Sequence, residues 1–251
     1  ILIERGAAQY RLESDRRFSA AGDSVAFRYR LEGQGEDRPT RYEWIRLEDQ
    51  STGGGSLSAD SASFEVEFDK PGTYNLSLRD DQGMILGATG HAVSGDGVKA
   101  SPGSIEIVFD RAEYQAGDVA EALITFPEPV KDALLTLERD QVEATALISE
   151  GADWLQLKHI ADTQYRARIP VAEHFAPNLT FSVLYTKAGD YSFQNAGIRV
   201  TVPSIAVDIK TDREVYKPGD MVQVELSTQF AGKPVPARLT VSVVDEMIYA
   251  L

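Results

Sequence analysis

The only imidazoles in this 251-residue chain are His91, His159 and His174, and cysteine is absent. Imidazole suits proton transfer and metal ligation near neutral pH, but it needs company: a nucleophile with an orienting carboxylate, or further ligands at fixed spacing. None of the three stands in such a pattern, so each is expected to be a surface or half-buried structural residue. The lack of cysteine removes disulfides, zinc thiolates and a thiol nucleophile, and leaves the redox compartment open. Carboxylates adjoin at Asp80-Asp81 and Asp245-Glu246, but with 39 acidic residues adjacency by chance is common. A hydrolytic pair would also need a cleft holding the two groups about 5–9 Å apart, so solvated loop faces are the expected reading. Gly53-Gly54-Gly55 lacks the Lys-Ser/Thr ending and following helix of a phosphate loop. Trp44 and Trp154 are the only tryptophans and fall in different parts of the chain, which gives no paired platform for stacking a sugar. Asn75-Leu76-Ser77 and Asn178-Leu179-Thr180 match the glycosylation triplet, a weak pattern. No catalytic, cofactor-binding or metal-ligating residue is assigned, no cofactor is expected, and an enzyme is the last of the readings.

Charge narrows the partners. The formal net charge of −14 would repel a phosphate backbone, and no Lys/Arg cluster offsets it, so nucleic acid is set aside. No stretch approaches the roughly 20 apolar residues of a spanning helix, and no membrane span is expected in this segment. The opening ILIERG has neither Met nor a basic-then-apolar leader, and is expected to be a connector from upstream sequence.

The elements that would position any site are announced by a phrase written three times: DRRFSAAGD at 15–23, DRAEYQAGD at 110–118 and DREVYKPGD at 212–220. The glycines Gly22, Gly117 and Gly219 are spaced by 95 and 102 residues, the length of one small domain per repeat. Lys217-Pro218-Gly219-Asp220 suits a type II turn, with Pro presetting φ and Gly supplying positive φ. Asp23, Asp118 and Asp220 are expected to cap these turns; as calcium ligands they would need 6–8 oxygens from a richer cluster. Apolar residues alternate before each turn, as in Ile105, Ile107, Phe109 and Ile205, Val207, Ile209. They alternate again after it, as in Val25, Phe27, Tyr29 and Val222, Val224, Leu226, so each phrase is expected to join two half-buried strands. Tyr114 and Tyr216 stand three residues before the Gly, where a ring can plug a sandwich end; Phe18 is one residue out of step.

Further short runs complete each period. ARIPV, TFSVLY and IRVTV read as strands, ALLTLERDQVEATALI as a hairpin turning near Arg139-Asp140, and FEVEF-KPG-TYNLSL as strand, turn, strand. Tyr74 in the last of these is a candidate tyrosine corner. With no convincing helix of three turns, the fold expected is all-β: β-sandwiches in tandem. Polar, Gly/Pro-rich SGDGVKASPG at 94–103 reads as a linker and VPS at 202–204 as a tighter joint. Domains are thus expected at 1–98, 99–203 and 204–251. The last has only 48 residues from Ser204, half a period, so its remaining strands are expected from farther along a longer chain. Interfaces between such modules are expected to be modest in area and polar enough to slide.

Several phrases together resemble a known family. YKPGD, then GKPVPARLTVSVVDEMIYAL at 232–251, is similar to the macroglobulin domain that carries the bait region in bacterial alpha-2-macroglobulins. FPEPVKDALLTLERDQVE at 126–143, APNLTFSVLY at 176–185 and FQNAGIRV at 193–200 resemble the domain before it, and ILGATGHAVSGDG at 85–97 the end of the one before that. The resemblance implies tandem seven-stranded antiparallel sandwiches of the immunoglobulin/fibronectin-III-like kind. It also implies a periplasmic, non-enzymatic inhibitor that traps proteases after they cut a bait region lying beyond Leu251. Asp245 and Glu246 would close the strand from which the bait leaves. The family's Cys-Gln thioester is not in this segment, which has no cysteine, and residues 176–251 look closer to the thioester-lacking branch. Proteases are the expected partners, with other cell-envelope proteins after them. The runner-up is an immunoglobulin-like structural or adhesive stalk of the cell envelope, and a carbohydrate-binding module is third.

Overall fold

A computed structural model describes residues 8–32, 35–217, 219–230 and 232–244. Two compact units emerge, residues 1–201 and 202–251.

The first unit holds two β-sandwiches. In the first, β1 (Gln9–Ser14), β3 (Ser24–Glu32) and β6 (Ser63–Glu67) form one sheet in the order β1-β3-β6. The other sheet runs β2-β8-β7-β4-β5, built from β2 (Phe18–Ala20), β4 (Arg41–Arg46), β5 (Thr52–Ser56), β7 (Gly72–Arg79) and β8 (Ile85–Ser94). Period-two alternation sends Val25 and Phe27 from one sheet, and Tyr74, Leu76 and Leu78 from the other, into a shared core with Phe68. Tyr74 donates its hydroxyl to the Lys70 carbonyl at 2.8 Å, the tyrosine corner expected of it. The glycine run forms edge strand β5: a Cβ on Gly53 would stand 2.3 Å from the Trp44 ring, so the indole occupies the space a side chain would take.

The second sandwich pairs a four-stranded sheet, β14-β15-β11-β9, with a five-stranded one, β10-β17-β16-β12-β13. The strands are β9 (Glu106–Phe109), β10 (Glu113–Gln115), β11 (Val119–Thr125), β12 (Leu134–Glu138), β13 (Val142–Leu147), β14 (Gln156–Ala161), β15 (Gln164–Pro170), β16 (Asn178–Lys187) and β17 (Asp190–Thr201). The β12–β13 hairpin turns at 139–141, as the sequence predicts. One 3-10 turn, Glu173–Phe175, is the only helical element among the described residues.

These sandwiches differ from a plain seven-stranded antiparallel one in a way that explains the repeated phrase. Each of the first two phrases contains a short strand of its own. β1 lies in one sheet, and the chain then kinks so that β2 pairs parallel with β8 in the other. In the same way β9 gives way to β10, which pairs parallel with β17. The glycine turn then returns the chain to the first sheet as β3 or β11. The phrase is a sheet-switching corner, built where a strand must cross from one layer to the other.

The second unit is a single sheet, β18-β19-β20, from β18 (Ala206–Thr211), β19 (Val224–Phe230) and β20 (Lys233–Pro234). Val207 and Ile209 face Thr228 and Leu226 in register, giving an apolar face, yet no described residue of the unit is buried and Ile209 is 64% exposed.

Candidate functional site

The three corners share one hydrogen-bonded clasp. In each, Gly22, Gly117 or Gly219 has φ of 84°, 96° or 91°, a left-handed value that a Cβ would strain. The following Asp folds back to accept from the backbone N–H three residues upstream: Ala20 to Asp23, Gln115 to Asp118 and Lys217 to Asp220, each at 3.0 Å. The first Asp of each phrase accepts from a backbone N–H eleven residues on: Ala26 to Asp15 at 3.2 Å, Glu121 to Asp110 and Gln223 to Asp212 at 2.9 Å. Tyr114 and Tyr216 donate to Asp110 and Asp212 at 2.5 and 2.6 Å, and their hydroxyls accept from the backbone N–H of Arg111 and Arg213. The two arginines lie over the tyrosine rings at 4.6 and 4.9 Å. The carboxylates are therefore turn caps, the role expected of Asp23, Asp118 and Asp220. Among the described residues no cluster of His, Cys, Asp or Glu could hold a metal ion. The Tyr216 hydroxyl holds the Asp212 carboxyl below its usual range, and burial drives the Tyr114 phenol well above its own.

The other residues with chemical potential are dispersed. His91 is not at the surface but 2% exposed, stacked on Phe68 at 5.2 Å, with Nε2 2.9 Å from the Ser19 hydroxyl. A Ser–His pair is what a hydrolase would need, and sequence spacing could not reveal it because the two are 72 residues apart. Its surroundings do not suit the task. His91 Nδ1 has no orienting carboxylate, Ser19 is itself buried, and burial lowers the imidazole pKa to about 4, too weak a base for neutral pH. His159 lies beside Tyr165, and His174 sits in the 3-10 turn with its carbonyl bonded by Arg139. Asp80 departs from the solvated reading: it is buried and accepts from the Met84 N–H at 2.7 Å, closing the β7–β8 turn, so Asp80 and Asp81 form no working pair. Asp245 and Glu246 lie outside the described residues. Trp44 packs on the first core; Trp154 packs on the second and donates to the Thr145 carbonyl.

The most constructed feature is the seam between the two sandwiches. Gly95 N–H donates to Gln164 Oε1 at 2.8 Å, and Gln164 Nε2 donates to Thr125 Oγ1 at 3.0 Å. The Thr163 hydroxyl bonds the Val98 carbonyl, and Arg17 N–H reaches the Asp110 carbonyl at 2.9 Å. Phe18, one residue before the position that the clasp tyrosine takes in the other phrases, is buried under the Arg166 guanidinium 5.8 Å away. Leu123 points to the outer face of β11, yet it is 2% exposed and belongs to neither core. The seam is held by these hydrogen bonds together with the buried Phe18 and Leu123. Sequence alternation marks Leu123, Gln164 and Phe18 as surface or edge positions and cannot show that a second sandwich covers them.

Comparison with known proteins places this architecture. Residues 8–96 match the family described as "Bacterial alpha-2-macroglobulin, Ig-like domain 4". Residues 105–251, more than half of the chain, match "Alpha-2-macroglobulin bait region domain". The chain belongs to the alpha-2-macroglobulin family. It is 52% identical over its whole length to an alpha-2-macroglobulin of Ralstonia nicotianae, and 22% identical over 76% of its length to an alpha-2-macroglobulin homolog of Yersinia pestis. It spans only 16% and 9% of these two relatives. Salmonella alpha-2-macroglobulin reacted with methylamine aligns over 91% of this chain and 18% of its own, at 12% identity and a TM-score of 0.30, too low to carry weight. The relatives in this alpha-2-macroglobulin set are bacterial, and the resemblance carried by YKPGD and GKPVPARLTVSVVDEMIYAL is thereby borne out. No described helix is long and apolar enough to cross a membrane, which says nothing of strands.

Proposed function

We propose that this chain is part of the scaffold of a periplasmic, non-enzymatic protease inhibitor, in which two complete macroglobulin sandwiches (residues 1–98 and 99–203) precede the first half of a third (204–251). Proteases are its ligands, reached through a bait segment beyond Leu251.

One observation carries this reading. The third phrase builds the same aspartate bonds as the other two, but the described residues that follow form one sheet without a second layer. In the first two repeats the corner strand lies parallel to the closing strand of its domain. The equivalent residues, Glu214 to Tyr216, pair with no strand among the described residues, and Val215 is 80% exposed. The apolar face of β18 and β19 is likewise uncovered. The missing partner of the corner and the missing second layer fit a domain whose remaining strands lie outside the described residues, and the match of residues 105–251 to the bait region domain supports a bait segment belonging to it.

The test is proteolysis of a chain extended past Leu251. Broad-specificity proteases are expected to cut first within one short region beyond Leu251, leaving residues 1–203 intact. Scattered cuts in the first two sandwiches with none beyond Leu251 would overturn the proposal. A stalk of sandwiches predicts instead that strand alternation resumes directly after Leu251.

A further inference from the structure

The outer face of the β10-β17-β16-β12-β13 sheet carries an apolar row that register alone defines. Phe193 on β17 is paired with Leu184 on β16, Leu184 with Leu134 on β12, and Leu134 with Leu147 on β13. The alternate residues, such as Val183, Leu135 and Ala146, point into the core, so the row faces outward. Phe193 is 48% and Leu134 37% exposed, and Tyr191, one step along β17, is 73% exposed. The next row on one side, Asn195, Ser182, Thr136 and Thr145, is uncharged, with charge returning at Glu138 and Arg199, while on the other side Asp132, which accepts from Ser149, borders the row. In a chain with 25% charged residues these two rows carry no charge and hold large apolar groups, with charged residues only at their borders, the composition of an interface core inside a polar rim. The opposite sheet of the same sandwich differs. Its outer face carries the Glu121–Arg168 ion pair at 3.0 Å, and its buried Leu123 is on the side joined to the first sandwich.

We propose that the row Phe193–Leu184–Leu134–Leu147 is a docking face for another module of the same polypeptide, one lying outside these 251 residues. This rests on the chain being part of a longer alpha-2-macroglobulin. Two observations select that occupant. A second copy would bring another −14 of net charge to the contact, and like charge of that size opposes self-association. A tethered module of the same chain avoids the cost of bringing two molecules together, and 84% of the Ralstonia nicotianae relative's length lies outside the matched segment, the remainder of the 16% that is matched.

Hydroxyl-radical footprinting of the uncleaved full-length chain beside the 251-residue chain tests the proposal. Tyr191 and Phe193 are expected to be modified about fivefold or more slowly in the full-length chain. Phe193→Asp with Leu134→Asp is expected to lower the melting temperature of the full-length chain and leave that of the 251-residue chain unchanged. Equal labelling in both chains overturns the proposal. So does protection already present in the 251-residue chain, and a rise of that protection with concentration would identify a second copy as the occupant. Because the readout precedes any proteolysis, it can fail while bait cleavage succeeds, and the reverse.

Discussion

The clasp tyrosines show how one residue can hold two distant pieces of backbone. Tyr114 binds Asp110, which in turn receives the Glu121 N–H across the corner, and the ring is 1% exposed. Tyr114→Phe should cost about 1–2 kcal/mol, because Asp110 and the Arg111 N–H both lose a partner. Tyr216→Phe should cost less, since its surroundings are open to water; urea titration of the two variants compares them. His91 supplies a pH prediction. Its folded pKa of about 4 lies below the usual 6.5, through burial, with Asp15 opposing and Arg16 adding to the shift. The unfolded chain therefore takes the proton first. The His91 contribution is complete above the unfolded value and is lost as pH falls from 6.5 toward 4, by up to about 3 kcal/mol. Unfolding free energies measured across that range should slope accordingly, and His91→Phe should remove this component.

At the scale of elements, the corner and the edge strand make different demands on glycine. Gly117 has open space around it and needs only its positive φ, so Gly117→Ala should cost about 1–2 kcal/mol of backbone strain. Gly53 has an ordinary backbone but no room, with Trp44 in its place. Gly53→Ala should therefore displace the indole, at about 1–3 kcal/mol, and shift the Trp44 emission, which Gly117→Ala should not. The glycines at 22, 117 and 219 are legible in the sequence because turn chemistry is local. The role of Gly53 is not, because it depends on which strand lies alongside β5. The same limit hid the corner strands: three-residue pieces such as Glu113–Gln115 carry too little alternation to announce a strand, and their partners are closing strands far along the chain.

At the scale of the molecule, the seam joins two cores into one body. Burying the Gly95 N–H against Gln164 means that Gln164→Ala leaves an orphaned donor, at a cost of about 1–3 kcal/mol. Trp44 and Trp154 report on one sandwich each. In Trp154→Phe and Trp44→Phe single-tryptophan variants, the two fluorescence melting curves should coincide. Adding Gln164→Ala should pull the midpoints apart. Midpoints already separate in the parent variants would mean the seam does not couple the sandwiches.

By itself the sequence determined the tandem all-β architecture, the three corners and the capping role of their aspartates. Alternation and turn chemistry act between residues at most eleven positions apart, as the Asp110 to Glu121 bond illustrates. Family membership was also legible there, in the phrases running to the chain's end. Only the tertiary structure decided that β2 and β10 change sheets, that His91 and Leu123 are buried, and that Phe193, Leu184, Leu134 and Leu147 form one outward row. The physical reason is that a side-chain period of two assigns residues to faces but does not say what each face meets. That depends on which strands become neighbours and which module packs over them.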